Sequence, residues 1–154
     1  TAYEIPKRDW SSDVCSSDLR EAGEVLLHAP RFVVATQGST VVGCAELAPL
    51  STSVAEVRSF VVSREARSRG IGRRLVDWLT TRARSEHFDT VCAFTHSPSY
   101  FVHLGFTVAP HASLPEKIET DCRNCNLFKR CGQFAVRREI PAVQTSIEQV
   151  PLHG

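Results

Sequence analysis

The chain has 154 residues, the length of one domain at roughly 150 residues per domain, and its 42% hydrophobic and 23% charged content excludes a wholly disordered chain. With 18 Lys and Arg against 17 Asp and Glu the net charge is +1, which excludes a global basic field for nucleic acid or an anionic membrane but leaves room for a local patch. No apolar run approaches the ~18–20 residues that span a bilayer, and the first ten residues lack a signal-peptide apolar core, so a cytoplasmic protein with no nucleic-acid or membrane partner is expected.

Residues 1–18 stand apart from the rest. Ser11-Ser12-Asp13 recurs as Ser16-Ser17-Asp18 around Cys15, and the run SSDVCSSDL is more like translated sequencing-adapter sequence than a protein-family segment. This stretch is expected to be an unstructured or non-native N-terminal arm, and no functional residue is assigned to it. Residues 19–28 carry a weak helical pattern closed by Pro30. Residues 31–36 (RFVVAT) and 40–47 (TVVGCAEL) flank a Gln37-Gly38-Ser39 turn and predict a hairpin. Residues 54–63 (VAEVRSFVVS) predict a third strand, rich in Val and Phe. After a polar, Arg-rich turn the period changes: Ile71, Leu75, Leu79 and Ala83 recur at i, i+4, Val76 and Trp78 widen the stripe, and Arg73, Arg74, Asp77, Arg82 and Arg84 take the other face. Residues 90–95 (TVCAFT) predict a fourth strand, 97–103 a short helix ended by Gly105, and 106–109 another strand. Residues 111–130 predict a loop or short helix, and 133–139 (QFAVRRE) a last strand. Residues 141–154 lack periodicity and predict a flexible tail. The order implies one mixed α/β domain over 19–140, with a βαβ crossover between residues 54 and 95.

The sharpest local feature is Arg67-Ser68-Arg69-Gly70-Ile71-Gly72, between a strong strand and a strong amphipathic helix. The first amides of a helix have no intrahelical acceptor, and together with the helix dipole they suit an anion. Glycines remove the Cβ atoms that would keep a phosphate off the backbone. Arg67, Arg69, Arg73 and Arg74 add local positive charge. The plainer alternative is a Gly-containing turn before a solvated helix; strand before, helix after and Arg within favour phosphate. Neither the Walker pattern nor the complete G-x-G-x-x-G fingerprint is present.

The strand and turn EVRSFVVSREARSRGIG resemble the acyl-CoA-binding motif of the GNAT acetyltransferase superfamily, Q/R-x-x-G-x-G/A, with Arg67 at the first position and Gly70 and Gly72 at the glycines. Residues 100–106 (YFVHLGF) resemble that family's later helix and Leu-Gly-Phe turn. More narrowly, AEVRSFVV, RSRGIGRRLV, LGF and LPEKIETDCRNC together resemble the short, stand-alone N-acetylglutamate synthases and their amino-acid N-acetyltransferase relatives. The resemblance implies a GNAT-like mixed, mostly antiparallel sheet flanked by helices, with the family's first strand and helix unmatched before Leu19. It implies acetyl-CoA as co-substrate, its pyrophosphate on the backbone N–H groups of Ser68, Arg69, Gly70, Ile71 and Gly72, and its pantetheine arm along Phe60, Val61 and Val62. It also implies a small amino-acid acceptor, L-glutamate foremost, in arginine biosynthesis, and leaves a homodimer open. Another amine acceptor, such as a protein N-terminus or a polyamine, and a non-catalytic thiol or zinc module that binds CoA are the alternatives.

Moving acetyl from a thioester to an amine needs a base for the amine proton, a donor to the developing oxyanion, and alignment of the two reactants. Glu56 is the candidate base, because it precedes the pantetheine-pairing segment and strand alternation puts Glu56, Arg58 and Phe60 on one face. Glu56 pairing only with Arg58 is the plainer alternative, and Glu46 is the rival base. The resemblance implies a backbone N–H near Val61 or Val62 as oxyanion donor. It aligns the family's acidic tyrosine with Phe101; Tyr100, one residue earlier, is the candidate acid, although about 100° of helix rotation would turn it toward the core. Arg58 and Lys117 are the candidate cations for glutamate carboxylates, with a solvated loop lysine as the alternative for Lys117. His96 and Ser97 are candidate lining residues.

Cys44 and Cys92 lie in apolar runs and are expected as small buried hydrophobes. Cys122, Cys125 and Cys131 form a cluster with a Cys-x-x-Cys pair. Structural thiols are favoured over zinc, for which His103 and His111 are the nearest further ligands, and over a reversible disulfide.

Overall fold

The alternation of the first two strand-like runs produces a hairpin, β1 (Phe32–Gln37) against β2 (Thr40–Pro49), turning at Gly38 with φ +61°. The structure, a computed structural model, describes residues 21–141; the expected N-terminal arm and all of the expected tail beyond residue 141 lie outside the described residues. The remaining elements are α1 (Ala22–Leu27), β3 (Val54–Val62), α2 (Ile71–Ser85), β4 (Thr90–Thr95), α3 (Pro98–His103), β5 (Thr107–Ala109), α4 (Pro115–Lys117), which runs on into a π-helical turn Ile118–Cys122, and β6 (Phe134–Glu139). The sheet order is β1-β2-β3-β4-β6-β5, antiparallel everywhere except β3–β4. This is the mixed, mostly antiparallel sheet expected, and the parallel pair is the predicted crossover through α2.

Side chains alternate between two different environments. Ala45, Leu47, Ala55, Val57, Val91, Ala93 and Val136 face α2 and α3, where Leu75, Val76, Leu79, Phe101 and Phe106 complete the main core. Full burial of each large apolar side chain there contributes roughly 1.5–3 kcal/mol. On the opposite face Val54, Cys92 and Ala135 pack against Leu114, next to the polar residues Glu46, Glu56 and Lys117, all buried.

Four expectations change. Trp78 does not widen the buried stripe of α2; it is 51% exposed, with the Arg82 guanidinium 6.0 Å from its ring, because it lies about 100° round the helix from Leu79. The predicted helix of residues 19–28 is described only as the short α1, which buries none of its residues. Cys44 is half-buried, its thiol 3.5 Å from the Ser59 carbonyl. The fourth change has the same origin as the third. Cys44 pairs with Val61 and Glu46 with Arg58, so Ser59 and Phe60 together oppose the single residue Ala45. This is a β-bulge, and Ser59 takes φ +49°. The extra residue reverses the alternation: Glu56 and Arg58 stay on the charged face, while Phe60 and Val62 join the α2 face. The expected grouping of Glu56, Arg58 and Phe60 on one face is therefore wrong.

Candidate active site

β3 and β4 pair only at Val54–Thr90, Ala55–Val91 and Glu56–Cys92, although β3 continues to Val62 and β4 to Thr95. Beyond Glu56 the strands part, and the gap is a cleft of about 730 Å³ lined by Phe60, Val61 and Val62 on one side and Thr95, Ser97 and Tyr100 on the other. Its end is the Arg67–Gly72 turn. Ser68 (φ +62°) and Gly70 (φ +75°) both lie in the left-handed region, and Gly70 is the residue from which α2 starts. No side chain caps that helix and its first turn holds no acid, so its leading amides keep their positive end toward the cleft. Arg67 Nε donates to the Val62 carbonyl (3.1 Å) and fastens the turn to the end of β3. Arg73 Nη2 donates to the His103 carbonyl (3.1 Å) and fastens α2 to α3.

The two glycines of the turn do different jobs. A Cβ on Gly70 would meet nothing within 4 Å, so glycine is there for its backbone angle. A Cβ on Gly72 would overlap the Tyr100 hydroxyl and sit 3.0 Å from Phe60 Cζ. Tyr100 does not turn into the core as its position suggested. It is 39% exposed over Gly72, tilted against Phe60 with ring centroids 5.8 Å apart, while Phe101 takes the buried place. Partial burial pushes the Tyr100 hydroxyl up despite the nearby Arg73, so it stays protonated and can donate. Ser97 lines the cleft; His96 instead lies at Gly132, where a Cβ would be 3.7 Å from its ring.

The charged face carries the other candidates. Glu56 receives Arg58 Nε at 2.5 Å and Lys117 Nζ at 2.8 and 2.9 Å from its two oxygens. Asp121 Oδ2 accepts from Lys117 Nζ at 2.9 Å and from Arg58 Nη2. Lys117 is no solvated loop lysine: it is 3% exposed, at the end of α4, with its ammonium 5.2 Å from the Phe94 ring. Burial alone would push that amine down; the Glu56 charge and the hydrogen bonds to Asp121 and Glu56 outweigh burial and raise it. The Arg58 guanidinium is raised in the same way, burial opposing Glu56 and Asp121. Glu46 is buried opposite Arg58 in the sheet register, with Arg31 Nη1 4.0 Å away. Asp121 was absent from the candidates drawn from sequence. Its four-residue spacing from Lys117 was the available signal, hidden because the segment reads as a loop or short helix with no defined helical bounds.

The cysteines Cys122, Cys125 and Cys131 are half-buried along the segment after α4, with the Cys125 amide donating to the Cys122 carbonyl at 3.0 Å. Their expected histidine neighbours are engaged elsewhere, His111 Nε2 with the Gln133 carbonyl (2.8 Å) and His103 Nδ1 with the Ser99 carbonyl (2.6 Å). Among the described residues no group of three or more His, Cys, Asp and Glu side chains could hold a metal ion, and no helix is long and apolar enough to cross a membrane.

Comparisons with known proteins agree with this architecture. The family model of the acetyltransferase (GNAT) family matches residues 1–106. An uncharacterized N-acetyltransferase of Chlorobaculum tepidum is 31% identical over 117 residues, covering 76% of this chain and 76% of its own. The fold is similar to N-acetylglutamate synthase from Neisseria gonorrhoeae complexed with coenzyme A and N-acetyl-glutamate, with TM-score 0.72 and 22% identity over 80% of this chain. That match spans only 28% of the synthase's length. It is also similar to a Mycobacterium tuberculosis protein in complex with CoA, with TM-score 0.69 and 20% identity, covering 79% of this chain and 83% of that one.

Proposed function

The chain belongs to the GNAT acetyltransferase family, whose members carry acetyl from acetyl-CoA to an amine, and we propose that its acceptor is the amino group of an amino acid, L-glutamate first. The observation that carries this reading is the cleft between β3 and β4, with the acid-free N-terminus of α2 at one end and a buried cation pair, Arg58 and Lys117, on the face beside it. The coenzyme's diphosphate takes the amides of Ser68, Arg69, Gly70, Ile71 and Gly72, and its pantetheine arm runs along Phe60, Val61 and Val62, whose β4-side backbone has no strand partner among the described residues.

The amine then attacks the thioester carbon. Its proton passes to Glu56, directly or through a water, and an N–H near Val61 or Val62 donates to the oxyanion. The C–S bond breaks, and the Tyr100 hydroxyl donates to the departing thiolate. Arg58 and Lys117 both donate to the Glu56 carboxylate. An acceptor carboxylate draws on the same two cations as it binds, which sets its amine beside Glu56. Ser97 supplies a polar contact in the cleft lining.

A second reading is an acceptor without carboxylates, such as a polyamine or a protein N-terminus. It is favoured by one observation: Glu56 and Asp121 already neutralise both cations. Release of CoA thiol from acetyl-CoA, followed with L-glutamate, other amino acids and a polyamine, decides between them. Release that depends on glutamate is the expected result. Release with polyamine alone moves the function to the second reading, and no release with any acceptor refutes both.

A further inference from the structure

We propose that Asp121 determines acceptor specificity by standing in for a substrate carboxylate: it occupies the Arg58–Lys117 cation pair and yields when an acceptor carboxylate arrives. The inference rests on the amino-acid reading above and goes beyond it by naming the group that must leave.

Two internal carboxylates hold the same two cations, and they differ in how firmly they are held themselves. Glu56 sits on β3 where that strand is paired on both sides, and its side chain is 4% exposed. Asp121 is 21% exposed and bonds both cations through one oxygen, Oδ2. It rides on the π-helical turn Ile118–Cys122, closed by the Arg123 amide donating five residues back to the Ile118 carbonyl at 2.9 Å. Such wide turns are rare, and they recur at functional sites. Asp121 is thus the carboxylate that can swing out, toward solvent, while Glu56 remains.

The exchange keeps the charge balanced. Before it, Arg58 and Lys117 face Glu56 and Asp121; after it, they face Glu56 and the acceptor's carboxylate. A ligand without a carboxylate that displaced Asp121 would leave a buried ammonium and guanidinium under-neutralised, which is strongly unfavourable. Entry is thereby conditional on the ligand's own charge, a form of selection against the wrong partner. The same exchange explains how two cations already in ion pairs can still receive a substrate.

The test is L-glutamate titration, by calorimetry, into the full chain, its Asp121→Asn variant and its Glu119→Gln variant. Glu119→Gln removes the same unit of charge from the same segment, but its carboxylate faces Arg123 at the surface. Asp121→Asn is expected to bind L-glutamate about tenfold tighter, because the ligand no longer competes with a tethered carboxylate, while Glu119→Gln stays within about twofold of wild type. Unchanged or weaker binding by Asp121→Asn, or no glutamate binding by any of the three proteins, overturns the proposal. Hydrogen exchange on the wild-type chain gives a readout that needs no variant. Saturating L-glutamate is expected to speed exchange at the Arg123 amide, and unchanged or slower exchange there overturns the stand-in role. Glutamate-dependent CoA release without an affinity gain in Asp121→Asn refutes only this inference; absence of CoA release with every acceptor refutes the enzymatic reading instead.

Discussion

At Ala55 and Glu56 β3 is held by strands on both sides, whereas at Val61 and Val62, among the described residues, it is held by β2 alone. The first half carries its polar side chains into a buried ion cluster; the second half presents backbone to a cleft. Ser59 lies between the two. Its left-handed φ costs on the order of 1–3 kcal/mol for a residue that is not glycine, and the resulting bulge sends Phe60 to the α2 face. On the proposed function, one strand serves two unlike needs: fixed charges to orient an acceptor, and peptide groups without a β4 partner to grip an extended ligand. If the division is real, the two halves must respond separately to mutation.

The largest separation is expected from Gly70→Asp. The site has space for a Cβ, so the change acts through the φ of +75° and through a negative charge set against the α2 amides. CoA affinity measured by calorimetry should fall by about a hundredfold or more. L-Glutamate affinity at the other half should stay near wild type. A CoA affinity within about threefold of wild type would mean that the diphosphate lies elsewhere.

Glu56→Gln is the converse. Glutamine keeps the shape and an acceptor oxygen but cannot take the amine proton. Turnover should fall by about a hundredfold, the lower range for a general base, with CoA affinity unchanged. Loss of both to the same degree would contradict the base assignment and the separation together.

How much of this was legible in the sequence follows from which interactions set each feature. The α2 and β4 boundaries were read closely, because hydrophobic period and flanking turn residues are local signals. The turn at Gly70 was legible for the same reason. The bulge was not: Ser59 offers no glycine or asparagine to mark a positive φ, and the register with Cys44 and Glu46 is set fifteen residues away along the chain. The parting of β3 from β4 is likewise a long-range fact. Tyr100 and Phe101 were misplaced relative to each other because α3 is short, and six residues do not define a buried face. Lys117 and Asp121 had helical spacing in a segment read as loop or short helix, and only packing against β3 shows that it matters.

A smaller, pH-dependent difference should separate the halves in stability. The Lys117 amine is raised above its ordinary value of 10.5, with burial opposed by Glu56 and by the hydrogen bonds to Asp121 and Glu56. A group raised on folding stabilises fully below its unfolded value and stops doing so as pH climbs through its folded one. The melting-temperature gap between wild type and Lys117→Met should therefore hold from about pH 8 to pH 10 and narrow above it. A gap that stays constant into that alkaline range would mean that Lys117 is not an ion-paired ammonium.

The smallest effect is expected at Tyr100. Tyr100→Phe keeps the ring against Phe60 and removes only the hydroxyl over Gly72. A thiol near its ordinary pKa of ~8.5 leaves readily as thiolate, so losing the donor should lower turnover only by about three- to tenfold. The hydroxyl's position can be tested apart from its chemistry. Gly72→Ala places a methyl where that oxygen sits, so the alanine should destabilise the wild-type chain more than it destabilises the Tyr100→Phe chain. The Phe60 contact at 3.0 Å persists in both backgrounds and sets a floor on the cost. Additive losses across that cycle would place the Tyr100 hydroxyl away from the first turn of α2 and leave the aromatic rings alone to call for a glycine at position 72.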